Sequence, residues 1–497
     1  MSTFRSATLA LALGLTLAGC MVGPDFRRPE PPTTGRYTET PMPEQTAAAP
    51  VRGGEAQRLV PDRELSAQWW MLFNSDPLDR LVRDALADNP TLAAAQATLS
   101  QARENLAAER GALLFPQVDG NLSATRQKIT GASFGQPGAP ASIFNLYNAS
   151  VNVSYALDAF GGNRRELEGF EALVDYQRFQ FEGARLSLTA NVVTTAIREA
   201  QLRAQLKATQ EILAAELKQV ELIEKQFQLG AVARLTLTTQ RTQVEHTRAL
   251  LPPLERDLAK TRHQLAVLSG KLPSEATLPE FDLDAIVLPQ ELPLSVPSAL
   301  TRQRPDVQAA EALLHQASAQ IGVATANEYP KINLTGSIGL QSLQLHSLFA
   351  GPAVWSIGAG LLQPLFHGGE LEARRRAAVA AYEQADAQYR QTVLLAFQNV
   401  ADALRALEAD ARALKAQADA TAFARETLDL NTRQYQLGGS SIIALLIAQQ
   451  QYQQERLNLV AAQSARYTDT AALFQALGGG WWNREPQAAA SSDSQVQ

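Results

Sequence analysis

The sequence of 497 residues contains a single cysteine and only five histidines. With Cys20 alone, no disulfide can form within the chain. The histidines lack the spacing of metal-binding motifs; they are His246, His263, His315, His346 and His367. Neither a Walker loop nor a dinucleotide fingerprint is present. The sequence therefore predicts no metal site, no cofactor and no enzymatic activity.

Excess positive charge is also absent, since 44 basic residues stand against 50 acidic residues. Nucleic-acid-binding surfaces are strongly basic, so this balance argues against a nucleic-acid partner. Acidic pairs such as Asp402 and Glu408 lie among many other charges. A solvated helix face or the lining of a tunnel explains such pairs better than acid–base catalysis does.

Proline is missing from two long stretches, which follow Gly161-Gly162 and Gly368-Gly369. Their composition predicts two uninterrupted helices, the first over residues 163–229 and about 100 Å long. Mostly apolar residues recur every seven positions, which is typical of coiled coils. In the first helix they are Leu206, Leu213, Val220 and Phe227, with Leu202, Leu217 and Ile223 offset; in the second they are Val393, Val400, Leu407, Leu414, Thr421, Leu428 and Tyr435.

Matching landmarks indicate a tandem duplication with a period of about 210 residues. The two long helices end almost identically, at Gln226–Gly230 and Gln434–Gly438. Asn89-Pro90 corresponds to Arg304-Pro305, and Phe115-Pro116 to Tyr329-Pro330. We predict a first repeat at 61–270, a proline-rich linker at 271–297, a second repeat at 298–482 and a disordered tail at 483–497.

The first repeat is expected to open with a helix over residues 76–114. Asp76 is its predicted N-cap and Pro77 lies in its first turn. Asn89-Pro90 should break or kink this helix. A further helix is predicted after the long one, over residues 233–270, and the second repeat should follow the same plan.

Four segments alternate between apolar and polar residues, which predicts β-strands. Each has about ten residues, the length that crosses an outer membrane when tilted. The same alternation also suits a half-buried soluble sheet. Aromatic residues near the strand ends favour the membrane. The strands are predicted at 118–125, 147–158, 332–341 and 354–366, with aromatic ends at Tyr147, Tyr155, Trp355 and Phe366.

The N-terminus is typical of a secretory signal over residues 1–19. Arg5 supplies the positive charge, and the apolar run from Ala7 to Leu17 is too short to span a bilayer. The run ends in Leu17-Ala18-Gly19-Cys20, which resembles the bacterial lipoprotein box. Residues 20–60 are rich in proline and threonine and predict an extended tether without a core of its own.

These parts together resemble the TolC-type outer-membrane factor family, in its lipoprotein branch that serves multidrug efflux pumps. The resemblance rests on the lipoprotein box followed by Val22-Gly23-Pro24-Asp25-Phe26, the two proline landmarks, the Gly-Gly openings and the Leu-Gly exits. It implies cleavage before Cys20 and acylation of Cys20, for example with palmitate. Met21 after the box implies sorting to the outer membrane, with most of the mass in the periplasm.

The implied fold is mixed α and membrane β. Four transmembrane strands from each chain would share a twelve-stranded barrel in a homotrimer, above a long periplasmic helical barrel. Four strands cannot close a barrel alone, and an open edge in lipid is costly. Strand number therefore requires two, three or more chains, and the resemblance selects three. The implied function is a passive exit duct of a tripartite efflux system, with a periplasmic adaptor and an inner-membrane pump as partners.

The resemblance also predicts a gate at the periplasmic tip, where the helices turn at Leu229-Gly230 and Leu437-Gly438. Related efflux proteins carry Leu-Leu-Asp-Ala-Gln there, with an arginine three residues after the aspartate. In this chain Ile447 replaces the acid and Gln450 the base. Ile443, Ile447 and Gln450 share one helix face. Either the isoleucines form an apolar plug or they pack between helices, and adaptor contact at the tips would open the duct.

Three alternatives remain at this point. The duct could serve protein secretion with a different inner-membrane engine. A periplasmic adaptor would also be lipidated and coiled-coil, but it would carry one hairpin between split lipoyl halves. A purely structural coiled-coil lipoprotein would not need four amphipathic strands.

Overall fold

The computed structural model describes residues 21–130, 135, 138 and 140–484. The predicted signal segment, Cys20 and residues 485–497 of the predicted tail lie outside these residues. The chain divides into two compact units, and each takes residues from both sequence repeats. Within the described residues, the first unit takes 21–29, 98–177 and 309–389, and the second takes 30–97, 178–308 and 390–484.

Most of the described residues are helical. The helices in chain order are α1 (Asp76–Asp88), α2 (Pro90–Leu114), α3 (Gly162–Gln228), α4 (Arg234–Ala249), α5 (Leu251–Leu268), α6 (Pro297–Gln303), α7 (Pro305–Ala326), α8 (Glu370–Gln436) and α9 (Ile442–Ala476). The strands are β1 (Arg58–Pro61), β2 (Gln117–Ile129), β3 (Ser142–Leu157), β4 (Glu291–Leu294), β5 (Lys331–Ser342) and β6 (Ala353–Leu362). None of the helices in the described ranges combines the length and apolarity needed to cross a membrane.

The two long helices, α3 and α8, have 67 residues each. Both run without a break because no proline interrupts their hydrogen-bond ladders. At 1.5 Å per residue each is about 100 Å long. Their equal lengths and matching exits confirm the two predicted rods.

Prolines lie at the start of several of the other helices. Helices start at Pro90 and Pro305, and the side chain of Asn89 accepts hydrogen bonds from the amides of Thr91 and Leu92. The prediction of Asp76 as an N-cap was wrong, because Ser75 holds that position and Asp76 is the first helical residue.

The single helix predicted over residues 233–270 was also wrong. Two helices, α4 and α5, meet at Leu250. Pro252 and Pro253 have no amide hydrogen to continue the ladder from α4. The corresponding part of the second repeat has no proline, and there α9 runs through 35 residues.

The predicted stripe of α8 forms part of the core of the second unit. Its members Val393, Val400, Leu407 and Leu414 are buried, whereas the last three, Thr421, Leu428 and Tyr435, are only half-buried. For α3 the main predicted stripe was wrong, since Phe227 is exposed and Leu206, Leu213 and Val220 are only half-buried. The buried row also repeats every seven residues but includes two polar side chains; it consists of Leu202, Thr209, Glu216 and Ile223.

The first unit contains a four-stranded antiparallel sheet in the order β2-β3-β5-β6. The strands have 13, 16, 12 and 10 residues, so three of them exceed the predicted ten. β6 ends at Leu362, not at the predicted Phe366, because Pro364 cannot donate to a ladder. Within the described residues, neither β2 nor β6 pairs with a further strand on its outer edge.

One face of this sheet is apolar and exposed. The partners across the strands confirm that its members share a face, since Val118 lies opposite Val153 and Ile338 opposite Trp355. The other face is polar, where Ser337 and Ser356 lie within hydrogen-bond distance at 2.8 Å. The exposed apolar members are Val118, Leu122, Val151, Val153, Leu334, Ile338, Trp355 and Ile357.

The second unit contains a short parallel pair of strands, β1 with β4. This pair joins the predicted N-terminal tether to the predicted linker, although neither segment carried a strand signal. In the same unit the ring of Trp69 packs against those of Phe73 and Phe474, and all three are buried.

Candidate functional site

The two predicted helix tips are tight turns that end α3 and α8 in the same way. Gly230 and Gly438 have φ angles of +73° and +75°, which an L side chain rarely adopts. In each turn the amide that follows the glycine bonds back to a carbonyl five residues earlier, at 2.8 Å, as in a Schellman cap. Leu229 and Leu437 precede these glycines and are 85% and 87% exposed. Each rod therefore ends in a fixed turn that presents a leucine to solvent.

The predicted gate residues lie at the start of α9. The side chain of Ser441 caps this helix by accepting a hydrogen bond from the amide of Ala444, at 3.2 Å. Ile443 and Ile447 are 61% and 58% exposed. They therefore do not pack between helices of their own chain.

Gln450 differs from the two isoleucines, because its side chain is paired. Its amide donates to the side-chain oxygen of Gln243 on α4, at 2.7 Å. The amide of Gln243 in turn donates to the carboxylate of Glu216 on α3, at 3.2 Å. Gln450 thus belongs to a polar contact among three helices.

The contact of Gln450 is part of a larger set of polar side chains between α3, α4 and α9, which we call the polar layer. The sequence analysis did not predict this layer. Gln449 hydrogen-bonds Gln219, which links α9 to α3 at a second point. Burial raises the pKa of the Glu216 carboxyl above its usual range. In the buried row of α3, Thr209 and Glu216 stand next to each other between Leu202 and Ile223, and no sequence signal marked them as buried. Further buried polar members of the layer are Gln240, Thr247 and Gln453.

A second cluster of titratable groups lies between α8 and α9. Burial and the neighbouring Asp410 carboxyl together raise the pKa of Asp469 to about 7. One carboxylate oxygen of Asp410 is buried and has no hydrogen-bond partner. A proton on Asp469 can supply that partner. In the described part of the chain, no group of three or more His, Cys, Asp or Glu side chains is arranged to hold a metal ion.

The architecture agrees with known proteins over almost the whole chain. A family model described as outer membrane efflux protein matches residues 81–271 and 296–479. The chain belongs to the outer membrane efflux protein family. The resemblance inferred from the sequence motifs is therefore confirmed.

Individual relatives agree with this assignment. The chain is 31% identical over 490 residues to the toluene efflux pump outer membrane protein TtgC of Pseudomonas putida, covering 96% of this chain and 97% of the relative. It is 31% identical over 451 residues to the pyoverdine export outer membrane protein OpmQ of Pseudomonas putida, covering 90% and 95%. The solved outer-membrane channel OprN superposes with a TM-score of 0.81 at 28% identity, covering 93% of this chain and all of that one.

These findings identify the chain as an outer-membrane channel of an efflux system. The mixed α and β fold with a tandem duplication is the fold of this family. In an efflux channel, the features whose role has to be explained are the exposed apolar face of the sheet and the exposed leucines at the helix tips.

Proposed function

We propose that three copies of the chain close one twelve-stranded barrel in the outer membrane and that their helices line a periplasmic duct. The open four-stranded sheet, with one exposed apolar face, carries this proposal. In lipid, unpaired backbone groups along β2 and β6 would each cost several kcal/mol. Pairing β2 of one copy with β6 of the next would satisfy both edges, and the resemblance to trimeric channels supports three copies.

The duct conducts small toxic compounds or drugs passively from the periplasm to the outside. The relatives TtgC and OpmQ are named for toluene and pyoverdine, which are small molecules. Their names favour this cargo over secreted proteins. A structural lipoprotein would have no use for an exposed apolar sheet face.

An adaptor protein opens the duct at its periplasmic end, in series with an inner-membrane pump. Leu229 and Leu437 supply apolar contact points at the tips, because both side chains are exposed and the turns beside them are closed by backbone hydrogen bonds. Ile443 and Ile447 supply the constriction as an apolar plug, since their exposure leaves them available to meet their symmetry copies. A lipid on Cys20 provides a second attachment to the outer membrane. Attachment by more than one acyl chain is stable where one chain alone is weak.

Single-channel conductance in planar bilayers tests the duct and its plug together. Ile443→Ser combined with Ile447→Ser should raise the conductance of the trimer, because water wets a hydroxyl-lined constriction. Leu235→Ser is the matched control, since Leu235 is 73% exposed at the same end but lies on α4. Native mass spectrometry reports the trimer in each case. An intact trimer with unchanged conductance in the double variant would refute the apolar plug. Absence of channel activity in the wild-type trimer would refute the duct.

A further inference from the structure

The residues that follow the lipoprotein box contact the first unit at the start of α3 and along α7. The amide of Val22 donates to the carbonyl of Phe160, at 3.1 Å. The guanidinium of Arg165 donates to the carbonyls of Val22 and Gly23, at 3.3 and 3.4 Å. It also pairs with the carboxylate of Asp25, at 2.7 Å. A segment predicted to be an extended tether without a core of its own is thus held by both its backbone and a side chain.

Arg165 is the centre of these contacts, and its side chain is only 2% exposed. A buried guanidinium is stable only when its donors are paired. Its remaining acceptor is the carboxylate of Glu168, at 2.7 Å. Three of these four acceptor groups therefore come from residues 22–25. Without the segment, Arg165 would keep Glu168 and lose the other three.

The fit of the segment also depends on shape. Gly23 has a φ of +91°, and a Cβ there would lie 2.4 Å from the Cα of Gly322 on α7. Only a glycine can approach the α7 backbone so closely.

The next side chains of the segment continue the contact along α7. The ring of Phe26 stacks on His315 with a centroid distance of 4.3 Å and an angle of 16°. The imidazole of His315 meets Glu168 at 2.8 Å, which connects this stack to Arg165. Arg28 pairs with Glu311 at 2.5 Å, and Glu311 is almost fully buried. Backbone, charge and aromatic contacts thus all select the same stretch of the chain.

The docked segment begins at the junction between a strand and a long helix. Met21 packs against Gly161, where a Cβ would lie 2.5 Å from the Met21 Cγ. Gly161 stands between the end of β3 and the start of α3. Consecutive Cα atoms are about 3.8 Å apart. Whatever holds Met21 therefore also fixes where a lipid on Cys20 would start.

We propose that Arg165, Glu168, His315 and Gly322 form a docking site for residues 22–26, which holds the N-terminus of the mature chain at the junction of strand and helix. The segment is the ligand, and it is recognised by its glycine, its acidic side chain and its aromatic ring. The site brings the lipid attachment point to the end of the membrane strands. This consequence rests on the proposed lipidation, whereas the docking itself does not.

Hydrogen exchange of the amides in residues 21–30, measured by mass spectrometry on the purified full chain, tests the site. Gly23→Ala should speed this exchange by about tenfold or more, because the alanine cannot hold its φ or avoid Gly322. The substitution lies in the segment, so the rest of the chain keeps its fold. Gly35→Ala is the matched control, since Gly35 has an ordinary φ and no atom within 4 Å of a Cβ.

A second pair of variants tests the body side of the site. Arg165→Leu should also speed exchange of the segment. Arg110→Leu should not, because Arg110 forms a half-exposed pair with Glu171 elsewhere in the same unit. Unchanged exchange in both Gly23→Ala and Arg165→Leu would overturn the docking site.

Cys20→Ala separates docking from lipidation. Protection of residues 21–30 in this variant should equal that of the wild type, because the contacts lie in the protein. Loss of protection in Cys20→Ala would mean that the lipid holds the segment and would overturn the proposal. An unmodified Cys20 in the wild type, with protection intact, would refute the lipidation and support the site.

Discussion

Replacing Val151 with arginine provides a direct test of the proposed membrane face. Val151 lies on β3, opposite Gly120 on one side and Ile338 on the other, and is 44% exposed. It stands six residues before Leu157, where β3 ends. At about 3.4 Å per residue that is about 20 Å along the strand. With a strand tilt near 45°, Val151 lies about 14 Å above the end of β3. That is near the middle of an apolar band about 25 Å tall that begins at the strand end.

An arginine on the lipid-facing side of a barrel, at the midplane of the bilayer, lowers the free energy of unfolding by about 2–4 kcal/mol per chain. The unfolding equilibrium should therefore shift by about 30-fold or more, and a threefold assembly repeats the penalty three times. Asn152→Arg is the matched control, because Asn152 lies next in sequence on the polar face and opposite Asp119. Urea unfolding in phospholipid vesicles, followed by the heat-modifiable mobility of the oligomer, measures both variants.

The comparison between the two arginines decides the outcome. Val151→Arg should lower the unfolding midpoint clearly, whereas Asn152→Arg should leave it nearly unchanged. Equal effects from the two variants would refute the assignment of the faces. A Val151→Arg protein as stable as the wild type would show that this face does not meet lipid.

Two further predictions concern pH and anchoring. Because the pKa of Asp469 is raised to about 7 in the folded state, the contribution of this group to stability is full below about pH 4 and is lost as the pH rises towards 7. Asp469→Asn should therefore gain thermal stability relative to the wild type at pH 8 and little at pH 5; an equal difference at both pH values would contradict the raised pKa. For Cys20→Ala, we expect the chain to lose N-terminal acylation, seen by mass spectrometry, yet still to enter the outer membrane as an oligomer, because the strands insert independently; complete loss of the oligomer from the membrane fraction would contradict this.

Features set by local chemistry were predictable from the sequence. The long helices follow from the absence of proline, and Gly230 and Gly438 mark their exits because only glycine accepts the backbone of the turn. Alternation located all four strands of the sheet, although their ends shifted by several residues. Pro252 and Pro253 carried the signal for the break between α4 and α5, and that signal was underestimated.

Other features depend on contacts between distant parts of the chain, and only the tertiary structure decided them. The buried stripe of α3 includes Glu216 because Gln243 on α4 supplies a hydrogen bond, and no pattern within α3 reveals that partner. Gln450 lies on the predicted gate face by helical spacing, but it is turned towards α4 by the same layer. Residues 22–26 were predicted to be a tether because their partners, Arg165 and His315, lie more than a hundred residues away in the sequence. Sequence period fixes which residues can share a face, whereas burial depends on what the rest of the chain places against that face.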